Sequence, residues 1–514
     1  MAAFISKKLS FNNAEQFKES FFEPEPSTLG YVFIGNHTPW PNEDAVPEIV
    51  DTLQNQQDIW DNMYAAKKVT GNDVELVIPR YEWTANTRYR SFDDQITQDV
   101  LLSANTEQAL RPVYVLTSER NVYLCLANNV SSNSTVEPSG DYNSANGFIS
   151  TADGYLWKYM YNIKPSNKFF ANSWIPAPVS TSKLDYNVSE SNTVDGALLN
   201  IVVLNGGSGY ATSNISTNAF AAATNRIALD NITNVTANMS IEGTGIAPLS
   251  YITAISNTTN TVTISTSTIN SGGGTGNNVT ISTRLAIIGD GAGALATAQL
   301  SGNSIYKVNL TGYGDTYTHA NVSVYGSGTG AQLRAIIGPV NGHGHNPAKE
   351  LGASNVMLST KIGQIDSTEG GVISTDTTFR QYGLVRDPYK YGDTKSAITT
   401  SSNTVISQTT DLTLVAGPSY ELNEFVYQGS PTNATYKGFI HAQVSNQVRL
   451  TKVQGTLTLG GALVGANSST SRIAVKVDQP EFQPYTGDIL YVENITKAQR
   501  AEGQAENLRL VIQF

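Results

Sequence analysis

Three stretches carry residues whose types and spacing could do chemistry. In "AIIGDGAGALATAQL" a strand-like run enters Gly289-Asp290-Gly291-Ala292-Gly293, a turn of the kind that cradles a dinucleotide phosphate. Asp315 stands at about the spacing of a ribose-binding acid. The turn recurs, however, as Gly326-Ser327-Gly328-Thr329-Gly330, where Gln332 to Ile337 reads as a strand, and no alternation of strands with helices surrounds either copy. A lone glycine motif without that context is weak, so both are read as β-turns and no cofactor is assigned. His343-Gly344-His345 could chelate a metal, but zinc takes three or four ligands. The chain holds five histidines and one cysteine, with no further ligand at a recognisable spacing. The pair reads as a solvent-exposed turn and no metal is assigned. "GGSGY" and "YGSGTG" put serine in β-turns, not on the strand-to-helix elbow of a hydrolase. Two facing carboxylates would suffice for a glycosidase, yet residues 196–347 offer only Asp230, Glu242, Asp290 and Asp315. No catalytic residue is assigned.

The elements that must position these turns are strands. The 514 residues suit about three domains at roughly 150 residues each. Charged residues make up only 15 % of the chain, and the polar balance comes from Asn, Ser, Thr and Gly. Thr packs on a pleated surface while Asn and Gly accept positive φ, a mixture that builds many short strands joined by turns. A net charge of −11 with no basic run beyond Lys7-Lys8 or Lys67-Lys68 argues against nucleic acid as a partner. Cys125, the single cysteine, excludes an internal disulfide framework and fits folding in a reducing compartment. In "NVYLCLANN" it reads as a small core residue. No stretch has the length of a membrane span and the N-terminal residues lack the apolar run of a signal peptide, so no membrane insertion is expected. The many Asn-x-Ser/Thr triplets record composition unless the chain meets a secretory pathway.

Along the chain, Asn12 or Asn13 is placed to cap a helix running to about Phe21. A second helix is expected over "DTLQNQQDIWDNMYAAKKV", with Ile59, Trp60, Met63 and Tyr64 as its apolar stripe and Lys67-Lys68 at its C-terminus. Strands follow at "DVELVIP", "RPVYVLTS", "NVYLCLAN" and "GYLWKYMYNI". From Gly196 to Pro347 aromatics thin out, and a repeat appears. "LLNIVVLNGGSGYAT" matches "SIYKVNLTGYGDTYT", and "RLAIIGDGAGALATAQL" matches "NVSVYGSGTGAQLRAII". Two such copies are expected to complete one core together. "FRQYGLVRDPYKYGD" returns to the aromatic style, and residues 394–482 read as a small barrel or sandwich.

Several motifs occur in an order that carries a resemblance: "FIGNHTPWP", "DIWDNMYAAKKV", "VIPRYEWTANTRY", "VYLCL", "DGYLWKYMYNI", "FRQYGLV" and the closing "GDILYVEN…LRLVIQF". On these residues the chain resembles the baseplate wedge proteins of T-even-type contractile-tail phages, in the enlarged form found in marine cyanobacterial myophages. The resemblance covers roughly 1–195, 355–393 and 484–514, and both glycine-rich regions depart from it. It implies a mainly β fold: a layered β-sandwich host domain with helix-bearing loops, interrupted by two inserted β-rich domains. The expected division is 1–195 with 348–393 and 483–514 as host, 196–347 as a duplicated β-insert, and 394–482 as a second insert. It also implies no enzyme activity, a homodimer that binds other baseplate wedge proteins, assembly in the host cytoplasm and a place in the virion tail.

Trp40, Trp60 and Trp83 are the candidate interface or loop-anchor residues. Trp40 stands between Pro39 and Pro41, where a stiff extended segment loses little freedom on docking and the indole offers a large anchor. It would pin the following loop to the sandwich or to a partner, or else plug the chain's own core. All five tryptophans precede residue 195, so a dimer contact is expected in that part. Two rival classes are a receptor- or glycan-binding tail protein, suggested by the Thr/Asn/Gly-rich insert, and a polysaccharide hydrolase.

Overall fold

A strand with no charged side chain, Gly30–Gly35, is buried along its whole length and sits at the centre of a five-stranded antiparallel sheet. The computed structural model describes residues 6–23, 29–104, 110–140, 148–179, 186–188, 193–270, 278–362, 365–366, 371–372, 377–393, 405–501 and 505–514. The fold is mainly β and almost entirely antiparallel. The chain packs as two compact units, Met1–Ile78 with Ala353–Phe514, and Pro79–Gly352.

In the first unit the order across the central sheet is Val405–Ser407, Met63–Val69, Gly30–Gly35, Thr378–Arg386, Asp488–Gln499. In a second sheet Asn355–Ile362 lies between Val74–Pro79 and Glu506–Gln513. The helix Lys7–Glu19 covers part of this sheet with Phe11, Ala14 and Lys18, and Lys18 forms a buried ion pair with Glu75. That helix begins at Lys7 with Ser6 as N-cap, not at Asn12 or Asn13. Burial of Phe11 fixes the face, which turns both asparagines to solvent in mid-helix.

The second expected helix is also corrected. It runs only Leu53–Asn62, with the Thr52 hydroxyl accepting from the Asn55 N–H, and Met63–Val69 is a strand. The "MYAAKKV" stretch pairs with Gly30–Gly35 on one side and with Val405–Ser407 on the other. Two ladders satisfy its backbone, which outweighs a helical side-chain period that local propensity supports only weakly.

Residues 410–478 close into a six-stranded barrel, which decides between the barrel and sandwich alternatives. Leu412, Val426, Ile440, Val448, Leu450 and Leu463 fill its interior with no exposure. Arg472 and Glu424 tie its loops: Arg472 donates to the Val415 carbonyl, and Glu424 accepts from the N–H groups of Glu421, Asn467 and Ser468.

In the Pro79–Gly352 unit, Tyr155–Ile163 and Asn121–Asn128 carry an aromatic core of Tyr89, Tyr123, Tyr155, Trp157 and Tyr159, with Cys125 buried among them as a free thiol. A six-stranded sheet formed between 198 and 337 exchanges strands between the two repeats. Leu198–Ser208 of the first copy pairs with Thr329–Ile337 of the second, and Ser304–Asp315 of the second pairs with Ala292–Ser301 of the first. The registers match. Val203↔Leu333 corresponds to Leu310↔Ala296, Ile201↔Ala335 to Val308↔Ala298, and both ladders skip a residue at the same two places. A further seventy-residue stretch, about 213–282, forms two three-stranded sheets around Ile227, Met239, Ile241, Ile252, Val262 and Ile281. Arg334 binds Asp93 and Asp94 at 2.5 and 2.7 Å, and Lys307 reaches Asn129 at 2.7 Å, so the repeat is fastened to loops of the segment before it.

Among the glycines that a side chain could not replace cheaply, one in each repeat also has positive φ at an equivalent place. Gly207 and Gly314 both have φ +62°, and a Cβ there would lie 2.4 and 2.5 Å from the Thr329 and Ala292 carbonyl oxygens. Alanine at either site is expected to cost more than the ~1–2 kcal/mol of a left-handed backbone, and by similar amounts at the two sites. Gly302→Ala, with φ +59° and nothing within 4 Å, should cost that backbone term alone. Denaturant midpoints of the three variants check this.

Candidate interface and loop-anchor residues

The strand Gly30–Gly35 must leave its sheet beside the end of the Leu53–Asn62 helix. A Cβ on Gly35 would lie 2.8 Å from the Asn62 carbonyl oxygen, and Asn36 then turns the chain with φ +53°. The extended exit that follows lies on the sheet's far strands. The Trp40 indole N–H donates to the Ile495 carbonyl at 2.9 Å, and the Asn494 amide donates to the Pro47 carbonyl at 2.9 Å. Arg380, almost wholly buried, donates to the His37 carbonyl at 2.9 Å and to Glu43 at 2.7 Å. Desolvation works against the ionised Glu43, but the Arg380 guanidinium prevails and holds that carboxyl below its usual range. Trp40 thus hydrogen-bonds within its own chain and is half-buried in the loop that carries it.

Trp60 lies in the core with Leu29, Tyr31, Phe33, Met63 and Phe482. Trp83 belongs to the other unit, where its indole donates to the Ser134 hydroxyl at 3.1 Å and its ring packs against the Tyr89–Trp157 core. The three tryptophans thus have three separate settings.

A buried pair of histidines escaped the sequence reading. His37 and His441 stand face to edge with ring centroids 5.2 Å apart, and Tyr64 lies 4.1 Å from His441. None of the four ring nitrogens has a hydrogen-bond partner among the described residues. Burial, then Lys452 and Arg380, push the His37 imidazole down to about 4. Burial, then His37, Arg449 and Arg500, hold His441 well below its ordinary value. Both rings are neutral at pH 7 and act as flat apolar plates between the sheet and the barrel. Lone histidines in "GNHTPW" and "FIHAQ" carry no mutual spacing that could have revealed the pair.

His343 is corrected from an exposed turn to a buried residue. Its ring pairs with Glu350 and packs edge-on to Phe92 at 4.6 Å, while the second Glu350 oxygen accepts from the Gly344 N–H at 2.9 Å. Asn346 caps the short Pro347–Glu350 helix that aims this carboxylate. Among the described residues no group of three His, Cys, Asp or Glu side chains could hold a metal. The glycine turn at Gly289 joins two strands, and Asp290 accepts from the N–H groups of Thr318 and His319 at 2.9 and 3.2 Å. The equivalent Ser327 accepts from Ala211 at 3.0 Å in the other repeat, so this position buttresses a turn in both copies.

No family model matches the chain. A curated relative, the baseplate wedge protein gp8 of Enterobacteria phage T4, is 25 % identical over 168 residues, covering 28 % of this chain and 49 % of that protein. The chain thus spans about half the length of the relative it matches. No helix among the described residues is long and apolar enough to cross a membrane.

Trp60→Ala should destabilise the first unit by about 3–5 kcal/mol, as for other large core truncations, whereas Trp40→Phe should cost about 1 kcal/mol for one lost hydrogen bond. Equal losses in thermal or denaturant unfolding would contradict these settings. The histidines set a pH dependence. Unfolded imidazoles take up protons near pH 6.5 while the folded ones stay neutral, so stability falls as pH drops from about 6.5 towards 4. His37 contributes about 1.4 kcal/mol per pH unit over that range, His441 adds to the slope in the same direction, and His441→Phe should make the slope shallower. Denaturant unfolding between about pH 4.5 and 6.5 reads the slope before most carboxylates titrate.

Proposed function

We propose that this chain is a structural subunit of a phage tail baseplate wedge, a homodimer that binds neighbouring wedge proteins and helps relay the rearrangement that triggers sheath contraction. The observation that carries the reading is the match to the baseplate wedge protein gp8. The mainly β architecture supports it, since closed and cross-tied sheets suit a part that transmits force without unfolding. The mechanism is binding rather than catalysis, with assembly in the host cytoplasm and residence in the virion tail baseplate.

In the same reading, residues 1–195, 348–393 and 483–514 form the host domain, and 196–347 and 394–482 are domains added to it. Support comes from the two sheets of the first unit, which draw strands from both ends of the chain, and from the separate cores at 198–337 and 410–478. The permanent dimer contact lies on the host, because obligate interfaces are broad and relatively apolar and the host carries every tryptophan. The acid-poor insert then meets lateral or external partners.

Electron microscopy of intact particles tests the reading: the chain is expected as paired density within each baseplate wedge. Its absence from the baseplate, or a position at the tip of a receptor-binding fibre, would refute it. Deleting 196–347 with a short Gly/Ser joint should leave a dimer in sedimentation while changing particle assembly. A folded monomer would place the dimer contact on the insert.

A further inference from the structure

Within the Pro79–Gly352 unit an open cleft of about 410 Å³ lies beside Arg80, Tyr81, Glu82, Arg111 and Asn172. Its floor is rigid. The Tyr89 ring is buried edge-on against Trp157, and its hydroxyl accepts from the Thr84 N–H at 2.6 Å and donates to the Thr84 carbonyl at 3.2 Å. One wall is already spent electrostatically: Arg80 pairs with Glu82, donates to the Ala171 carbonyl at 3.1 Å and lies 4.5 Å over the Phe170 ring. These contacts leave that wall close to neutral and held in place.

Arg111, which also lines the cleft, is not spent. It pairs with Tyr89 in the short parallel ladder of Leu110–Arg111 with Arg88–Tyr89, and its exposed guanidinium engages no hydrogen bond or ion pair among the described residues. The Asn172 amide and the Tyr81 hydroxyl are likewise without a partner among them. The guanidinium has five N–H donors and the amide two more, while Glu82, the one carboxylate lining the cleft among the described residues, is paired with Arg80. The cleft therefore has donors and one positive charge to satisfy, and a carboxylate fits a guanidinium fork through two parallel bonds. Its volume lies within the range of small-ligand sites.

We propose that this cleft docks a carboxylate-bearing peptide segment of a neighbouring protein chain, with Arg111 gripping an Asp or Glu side chain. A peptide is favoured over an acidic glycan because the ring surfaces nearby are engaged within the protein. Tyr89 packs on Trp157, Tyr81 on Tyr114 at 5.4 Å, and Phe170 carries both Arg80 and Arg120. Among the described residues a sugar would find no ring free of such a contact, whereas a peptide needs only hydrogen-bond donors and the charge. The proposal rests on the baseplate reading for the presence of a neighbour, and it names the part of this chain that the neighbour uses.

The purified full-length chain tests it by fluorescence polarisation with a labelled acetyl-Gly-Asp-Glu-Asp-Gly-amide peptide. Its Gly-Asn-Gln-Asn-Gly counterpart is the control. The acidic peptide should saturate with a Kd of about a millimolar or tighter, an affinity set by one or two charged contacts, and should weaken as salt is raised. Arg111→Glu should weaken it at least tenfold with unchanged thermal unfolding, since the side chain is exposed, and Arg111→Lys should retain part of the affinity. Equal binding of the neutral peptide, insensitivity to Arg111→Glu, or no saturation by the wild-type chain would overturn the proposal. So would Arg111-dependent binding of digalacturonate in place of the peptide. Particles assembled with the Arg111→Glu chain separate the two readings. If that chain and the wild type are both missing from baseplates, the wedge reading fails. If they are present and the peptide result is negative, only the cleft is refuted.

Discussion

Every backbone N–H and C=O of the buried strand Gly30–Gly35 has to find a partner, and the partners come from far along the chain. Met63–Val69 meets one edge and Thr378–Arg386 the other, and Val405–Ser407 and Asp488–Gln499 extend the ladder on both sides. An unpaired buried peptide group costs about as much as a lost hydrogen bond, so these five segments must come together or the core does not form. That requirement turns "MYAAKKV" into a strand, and it sets the exit at Gly35 close against the Asn62 carbonyl. The loop beyond is then laid across the same sheet, where Trp40 and Arg380 fasten it. The bonds are few, but each joins segments that are hundreds of residues apart in sequence.

The repeat obeys a different constraint. One copy alone would be a strand and a hairpin, too little to enclose its apolar face. By giving its first strand to the partner hairpin, each copy completes the other, and Ile201, Tyr210, Leu285, Ile305 and Val308 meet in a shared core. Tyr210 and Tyr317 sit at equivalent places and each covers glycines of the opposite copy's turn: Gly326 and Gly328 for Tyr210, Gly289 and Gly291 for Tyr317. The glycine run that could have bound phosphate is thus occupied by an aromatic ring of the same chain.

Charge is handled sparingly throughout. Buried charged groups are ion-paired, as in Lys18–Glu75 and Arg500–Glu506, or hydrogen-bonded, as in Arg472 and Glu424, whereas the buried His37 and His441 rings, without a hydrogen-bond partner among the described residues, stay neutral. The histidine pair sits where the sheet and the barrel of the first unit meet, which couples that contact to proton uptake. A pair of phenylalanines would fill the same space without that coupling.

The β class, most strand positions, the core setting of Cys125 and the two-copy pattern were all legible in the sequence. Each depends on local alternation, turn residues or self-similarity within a few tens of residues, and such patterns survive in one dimension. The landmark "GNHTPWP" was legible as a rigid exit, but its partner was not, because Ile495 and Arg380 become neighbours only when the sheet assembles. The same limit hid the His37–His441 pair, the burial of His343 against Glu350, and the turn of Met63–Val69 from helix to strand. In each case two segments distant in sequence, or a side chain and a carboxylate aimed by a short cap, had to be brought together first. Local spacing states what a segment can do; the desolvation of its backbone and side chains by the rest of the fold decides what it does.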